Sequence, residues 1–175
     1  MPIALTAFIK DPKTIAVAIG FLLAALVWSF CPELSLALPF LCLGAEIDLR
    51  ERRLPDNLVL PALGLACIGT VVWHADARLA LLGIATAVLS GTALRIIRSA
   101  SIGGGDVKAL AVVGAAGGFS LVLFTLLGMC LGMIVWSILR RGKITQNFAA
   151  GPWIVGAAAI VSVVQYFWVS TGVHI

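Results

Sequence analysis

GGGDVKALAVVGAAGGFSLVLFTLLGMCLGMIVWSIL, residues 103–139, decides how the chain folds. From Val107 to Leu139 its only charged residue is Lys108, and 33 residues at 1.5 Å each make about 50 Å of helix against a hydrocarbon core of roughly 30 Å. One straight span is too long. Gly117-Gly118 is the natural break, which predicts two helices, Val107–Ala116 and Phe119–Leu139. At the mouth of the first, three glycines precede Asp106, and a carboxylate in a first helical turn is stabilised by the helix dipole.

The rest of the chain matches this apolar character. It has 175 residues, 61% of them hydrophobic and 11% charged, whereas soluble domains are about a quarter charged; its mean hydropathy is +1.11. The expected class is an all-α, polytopic membrane helix bundle forming a single domain over residues 1–175. Further spans are expected at Thr14–Phe30, Leu34–Ile47, Leu58–Trp73, Leu79–Leu94 and Gly151–Ser170, about seven in all. Leu34–Ile47 is short and interrupted by Pro39, so on length alone it also fits a re-entrant segment. Asp48–Asn57 reads as a charged connection ending in a Pro-Asp-Asn turn. Lys10 and Lys13 before the first apolar run resemble a signal peptide, but no small-residue cleavage site follows, so the expectation is an uncleaved anchor.

Charge placement supports the seven-span count. Lys10, Lys13, Arg50, Arg52, Arg53, Arg95, Arg98, Lys108, Arg140, Arg141 and Lys143 fall on one side and Arg78 alone on the other, so eleven of twelve basic residues mark that side as cytoplasmic. Omitting Leu34–Ile47 would invert everything downstream.

This topology sets Asp48 and Asp106 at the same depth on the cytoplasmic side. Ionisable residues at membrane level are costly and usually face the bundle interior, which makes each a functional candidate. Two carboxylates held together share one proton, so the ionised partner can take a proton from water while the protonated one polarises a carbonyl. The alternatives are ordinary: Asp48 as an interfacial charge paired with Arg50 or Arg52, and Asp106 as a helix cap. Glu46 and Asp56 are further candidates, and physics alone does not rank the four acids. Asp11, Glu33, Glu51 and Asp76 read as loop or interface charges. His74 and His174 lie on the far side and at the tail, and Cys31, Cys42, Cys67 and Cys130 are scattered apolar positions without a C-x-x-C pair, so neither a metal nor a cofactor is expected.

Ile47-Asp48, five residues, Leu54-Pro55-Asp56 running on to Leu58 and Pro61, and then Gly103-Gly104-Gly105-Asp106-Val107-Lys108 resemble the paired signature of the type IV prepilin peptidases, the GxGD intramembrane aspartic endopeptidases. Phe148–Gly156 (FAAGPWIVG) is similar to the family's Phe/Gly-Pro element before its last helix. The resemblance covers residues 34–171, a six-helix core, and leaves Thr14–Phe30 as an extra first span. It implies that Asp48 and Asp106 are catalytic, with Lys108, Pro55 and Asp56 in support and Gly103, Gly104 and Gly105 open to an approaching substrate backbone. The implied partner is a prepilin leader, a basic segment followed by an apolar helix, cut after a Gly at the cytoplasmic face of a bacterial inner membrane; no nucleic acid is implied. The cysteine-bearing insertion of many members is not seen, so the short Flp-type form is expected and methyltransferase activity is not. Presenilin-like proteases place a Tyr-Asp motif before GxGD and Pro-Ala-Leu after it. Here the only Tyr is Tyr166, and Pro61-Ala62-Leu63 comes first. Two other classes stay open: a proton- or cation-coupled transporter using the same acids, and a non-catalytic pilus-assembly subunit.

Overall fold

A computed structural model describes residues 11–73, 75–97, 103–139 and 150–171. Lys10, His74, Arg98, Arg140, Arg141, Lys143, Phe148 and His174, read above, lie outside the described residues. The described chain is all helix: α1 (Pro12–Val27), α2 (Pro32–Glu51), α3 (Asp56–Val72), α4 (Ala77–Ile97), α5 (Gly104–Leu139) and α6 (Gly151–Ser170). Three stretches, Ala77–Ile96, Gly104–Trp136 and Gly151–Trp168, are long and apolar enough to cross a membrane by length and composition. Exposed Leu, Ile, Val and Phe side chains cover the outside of the bundle, as a lipid-facing surface requires.

The helix starts follow local chemistry. Asp11 caps α1, its carboxylate accepting the Lys13 N–H at 3.1 Å, with Pro12 in the first turn where a missing N–H costs nothing. Pro32 opens α2 in the same way. That helix does not stop at Ile47, as hydropathy led us to expect, but runs through the charged residues to Glu51. It ends where Arg52 turns left-handed (φ 53°), its N–H donating to the Asp48 carbonyl at 2.9 Å. Asp48 therefore stands within the last helical turn, and only Arg52 to Pro55 connect to α3. Pro55, extended at φ −74° and ψ 132°, sets the start of α3.

In α5 the break falls at Gly118, whose backbone (φ 70°, ψ −164°) is open to glycine almost alone. The chain reverses there. Before the break, α5 runs antiparallel to α4, with Val107 on Gly91, Gly114 on Gly83 and Gly118 on Leu79. After it, Ser120 accepts a hydrogen bond from Gln165 Nε2 at 2.8 Å, Gly128 faces Ala157 and Gly132 lies against the Trp153 ring. The second arm thus runs back along α6 towards the end from which Asp106 started. Gly104–Trp136 is apolar as a unit of 33 residues, but it is two antiparallel arms.

Thr70 pins α3 beside the turn, its hydroxyl donating to the Ala66 carbonyl at 3.0 Å and the Ala115 carbonyl at 2.8 Å. Tryptophans sit near both ends of the bundle: Trp28 and Trp73 edge-to-face at 5.4 Å at one, Trp136 and Trp153 at 6.2 Å at the other, as expected of interfacial belts. A cavity of about 260 Å³ lies at the first of these ends, lined by Cys31, Gly117, Ser162, Gln165 and Tyr166 among others. It contains neither Asp48 nor Asp106.

Candidate active site

Three helix termini meet at the opposite end: the last turn of α2, the first turn of α5 and the start of α6. Asp48 is 6% exposed and Asp106 is 8% exposed; among the other described acids only Glu46 also has its carboxylate oxygens buried. Burial of a carboxylate demands hydrogen bonds. Asp48 Oδ2 accepts the Gly151 N–H at 3.0 Å, one of the donors left unpaired at the start of α6. Asp106 Oδ2 accepts the Gly103 N–H at 2.9 Å, and the Asp106 N–H donates back to the Gly103 carbonyl at 3.2 Å. The two carboxylates are close enough for the charge on Asp48 to act on Asp106. One oxygen of each acid is anchored by a main-chain amide.

The remaining acids are separated by their surroundings. Asp56, exposed, forms an ion pair with Lys108 at 2.6 Å across 52 residues of sequence. The pair joins the first turns of α3 and α5. Glu46 pairs with Arg50 one turn further along α2. Asp76 accepts the Arg78 N–H at 2.9 Å at the start of α4, and Asp11 caps α1. Among the described residues no group of three His, Cys, Asp or Glu side chains could hold a metal ion.

The glycines of the motif differ. Gly103 and Gly104 are exposed, the nearest atoms to a side chain there being Asp106 Oδ2 at 3.4 Å and an Arg95 nitrogen at 3.7 Å. At Gly105 the space belongs to the chain itself, since a methyl group would fall 2.5 Å from Leu54 Cβ and 3.2 Å from the Leu54 carbonyl oxygen. Sequence reading missed two parts of the site, the Gly151 amide and Leu54. Gly151-Pro152 at a helix start was the available signal, because the first N–H groups of a helix have no partner within it.

The type IV leader peptidase family matches residues 35–138, a stretch that holds both acids, Leu54 and the Lys108–Asp56 pair. The chain belongs to that family. This type IV leader peptidase family member is 32% identical over 166 residues to a prepilin leader peptidase/N-methyltransferase of Dickeya chrysanthemi, covering 81% of this chain and 55% of the relative. It is 31% identical over 140 residues to a protein of the same name from Xanthomonas campestris pv. campestris, covering 74% of this chain and 47% of the relative. The chain thus spans about half the length of these curated relatives. No solved structure matches it.

Proposed function

We propose that the chain is a membrane-embedded aspartic endopeptidase that removes the leader of type IV, Flp-like prepilins at the cytoplasmic face of a bacterial inner membrane. The observation that carries this reading is the convergence of two buried carboxylates, each tied by one oxygen to a backbone amide, in a leader peptidase family member. With one proton shared between them, the ionised carboxylate removes a proton from water and the hydroxide equivalent adds to the scissile carbonyl. The protonated partner hydrogen-bonds the developing oxyanion, and a proton returned to the departing nitrogen completes hydrolysis. Gly103 and Gly104 leave room beside Asp106 for an extended leader backbone.

Six of the seven described basic residues, Lys13, Arg50, Arg52, Arg53, Arg95 and Lys108, stand at the end with the acids and Arg78 at the other, which supports seven crossings with the acids facing the cytoplasm. In this reading residues 34–171 form the core of one membrane domain, and α1 is an addition packed on α2. The test is cleavage by the purified protein in lipid vesicles of a small precursor with a Gly-terminated basic leader, the product read by mass spectrometry. A single cut after the Gly is expected; an intact precursor beside acid-dependent proton or cation flux would replace the peptidase by a transporter. In a background lacking native cysteines, Cys placed at position 53 should react with an impermeant maleimide in inverted vesicles only.

Gly151 offers a graded test. A methyl group there would lie 3.0 Å from Asp48 Oδ2 and 3.2 Å from both Ala45 Cα and Leu54 Cδ1, tighter than ordinary contact. Gly151→Ala should displace the amide from Asp48 and lower kcat/KM by about ten-fold, a loss of roughly 1.4 kcal/mol of transition-state stabilisation.

A further inference from the structure

From α2 to α3 runs the four-residue connection Arg52-Arg53-Leu54-Pro55, and one side chain in it touches the surroundings of both Asp48 and Asp106. Leu54 stands 3.7 Å from the position of a side chain at Gly44, one turn before Asp48. Its Cδ1 closes the space beside Gly151, the amide donor to Asp48, and its Cβ and carbonyl close the space beside Gly105, the residue before Asp106. We infer that Leu54 is a positioning residue that sets the separation of Asp48 and Asp106.

Two features hold Leu54 in place from either side. Left-handed Arg52 turns the chain sharply off α2. The Asp56–Lys108 ion pair fixes the start of α3, two residues beyond Leu54, to the first turn of α5, two residues beyond Asp106. Leu54 itself is half-buried and packs on the core, so it acts as a wedge whose width is the width of the site. Three glycines meet it, and none contributes a side chain that could take over the role. In a low-dielectric site the coupling between two carboxylates falls off with distance, so a narrower wedge alters both how the pair shares its proton and where substrate fits.

This inference rests on the peptidase reading for its activity measurement, so the experiment includes one that does not. The charged groups named around the pair are Arg52 beside Asp48, Arg95 beside Gly104, and the Lys108–Asp56 pair; all are kept. Leu54→Ala, Leu54→Val and Leu54→Met are compared with the parent, in the full chain in lipid, by cleavage against pH and by infrared titration of the carboxyl stretch. We expect Leu54→Ala to lower kcat by about ten-fold with a displaced pH profile, Leu54→Val to do so partially, and Leu54→Met to stay within about two-fold of the parent. The carboxyl titration should move in the same order. If Leu54→Ala does not accumulate, Leu54→Val carries the comparison. Unchanged pH profile and carboxyl titration in the smaller variants overturn the inference, even where activity falls, because a merely structural residue changes the amount of folded protein and not the coupling of the acids. If the parent cleaves nothing, the peptidase reading fails, and the infrared order alone decides for or against Leu54.

Discussion

Asp48→Asn and Asp106→Asn should each remove leader cleavage, lowering kcat/KM by about a thousand-fold or more, with little change in helix content or melting temperature. Asn is nearly isosteric, and its carbonyl oxygen can still accept the Gly151 or Gly103 N–H that each acid accepts at present. The buried end of the bundle therefore stays satisfied, and what disappears is the exchangeable proton. Asp56→Asn makes the contrast, because that acid is exposed and occupied by Lys108; its loss should cost a few-fold at most. Full activity in either of the first two variants, measured on the same precursor by mass spectrometry, would remove the pair from the mechanism.

Gly83→Val should leave little folded protein in the membrane. A methyl group at Gly83 would collide with the Gly114 carbonyl and fall 2.7 Å from Gly118 Cα, and the obstacles are backbone atoms that cannot rotate away. Helix α4 would have to lift off the first arm of α5 at the level of the reversal. Overpacking of ordinary cores costs about 1–3 kcal/mol, and this site, with backbone on both sides, should lie at or beyond the upper end. Gly64→Ala and Gly156→Ala are the controls, since nothing lies within 4 Å of an added methyl at either position, and membrane abundance and melting in detergent should match the parent.

Much of the arrangement was legible in the residues, and the parts that were not share a cause. The reversal in α5 followed from arithmetic, because 33 apolar residues exceed a bilayer and a Gly-Gly pair interrupts them. That Asp48 and Asp106 belong at one end of the bundle followed from charge and parity. The end of α2 did not follow, because its stop is an arginine in the left-handed conformation, where sequence rules look for glycine, and because DLRE carries three charges in four residues and so reads as a connection. Composition and spacing alone did not rank the acids; the family resemblance did. That Asp56 is paired with Lys108, 52 residues away, could be seen only in the structure. Gly151 is 103 residues from Asp48, and Leu54 shows its role only where three glycines from separate helices surround it. Local signals describe each helix, whereas the site is made of contacts between them.

The donors that hold the two acids are main-chain amides, those of Gly103 and Gly151, and an amide cannot be lost by changing a codon unless proline replaces it. Substitutions elsewhere in the bundle can accumulate without severing either tether, provided the helix ends stay in register. Sequence drift in such a protein should be constrained mainly by the sizes of neighbouring residues, so that distant descendants keep the same electrostatic centre while sharing few side chains around it.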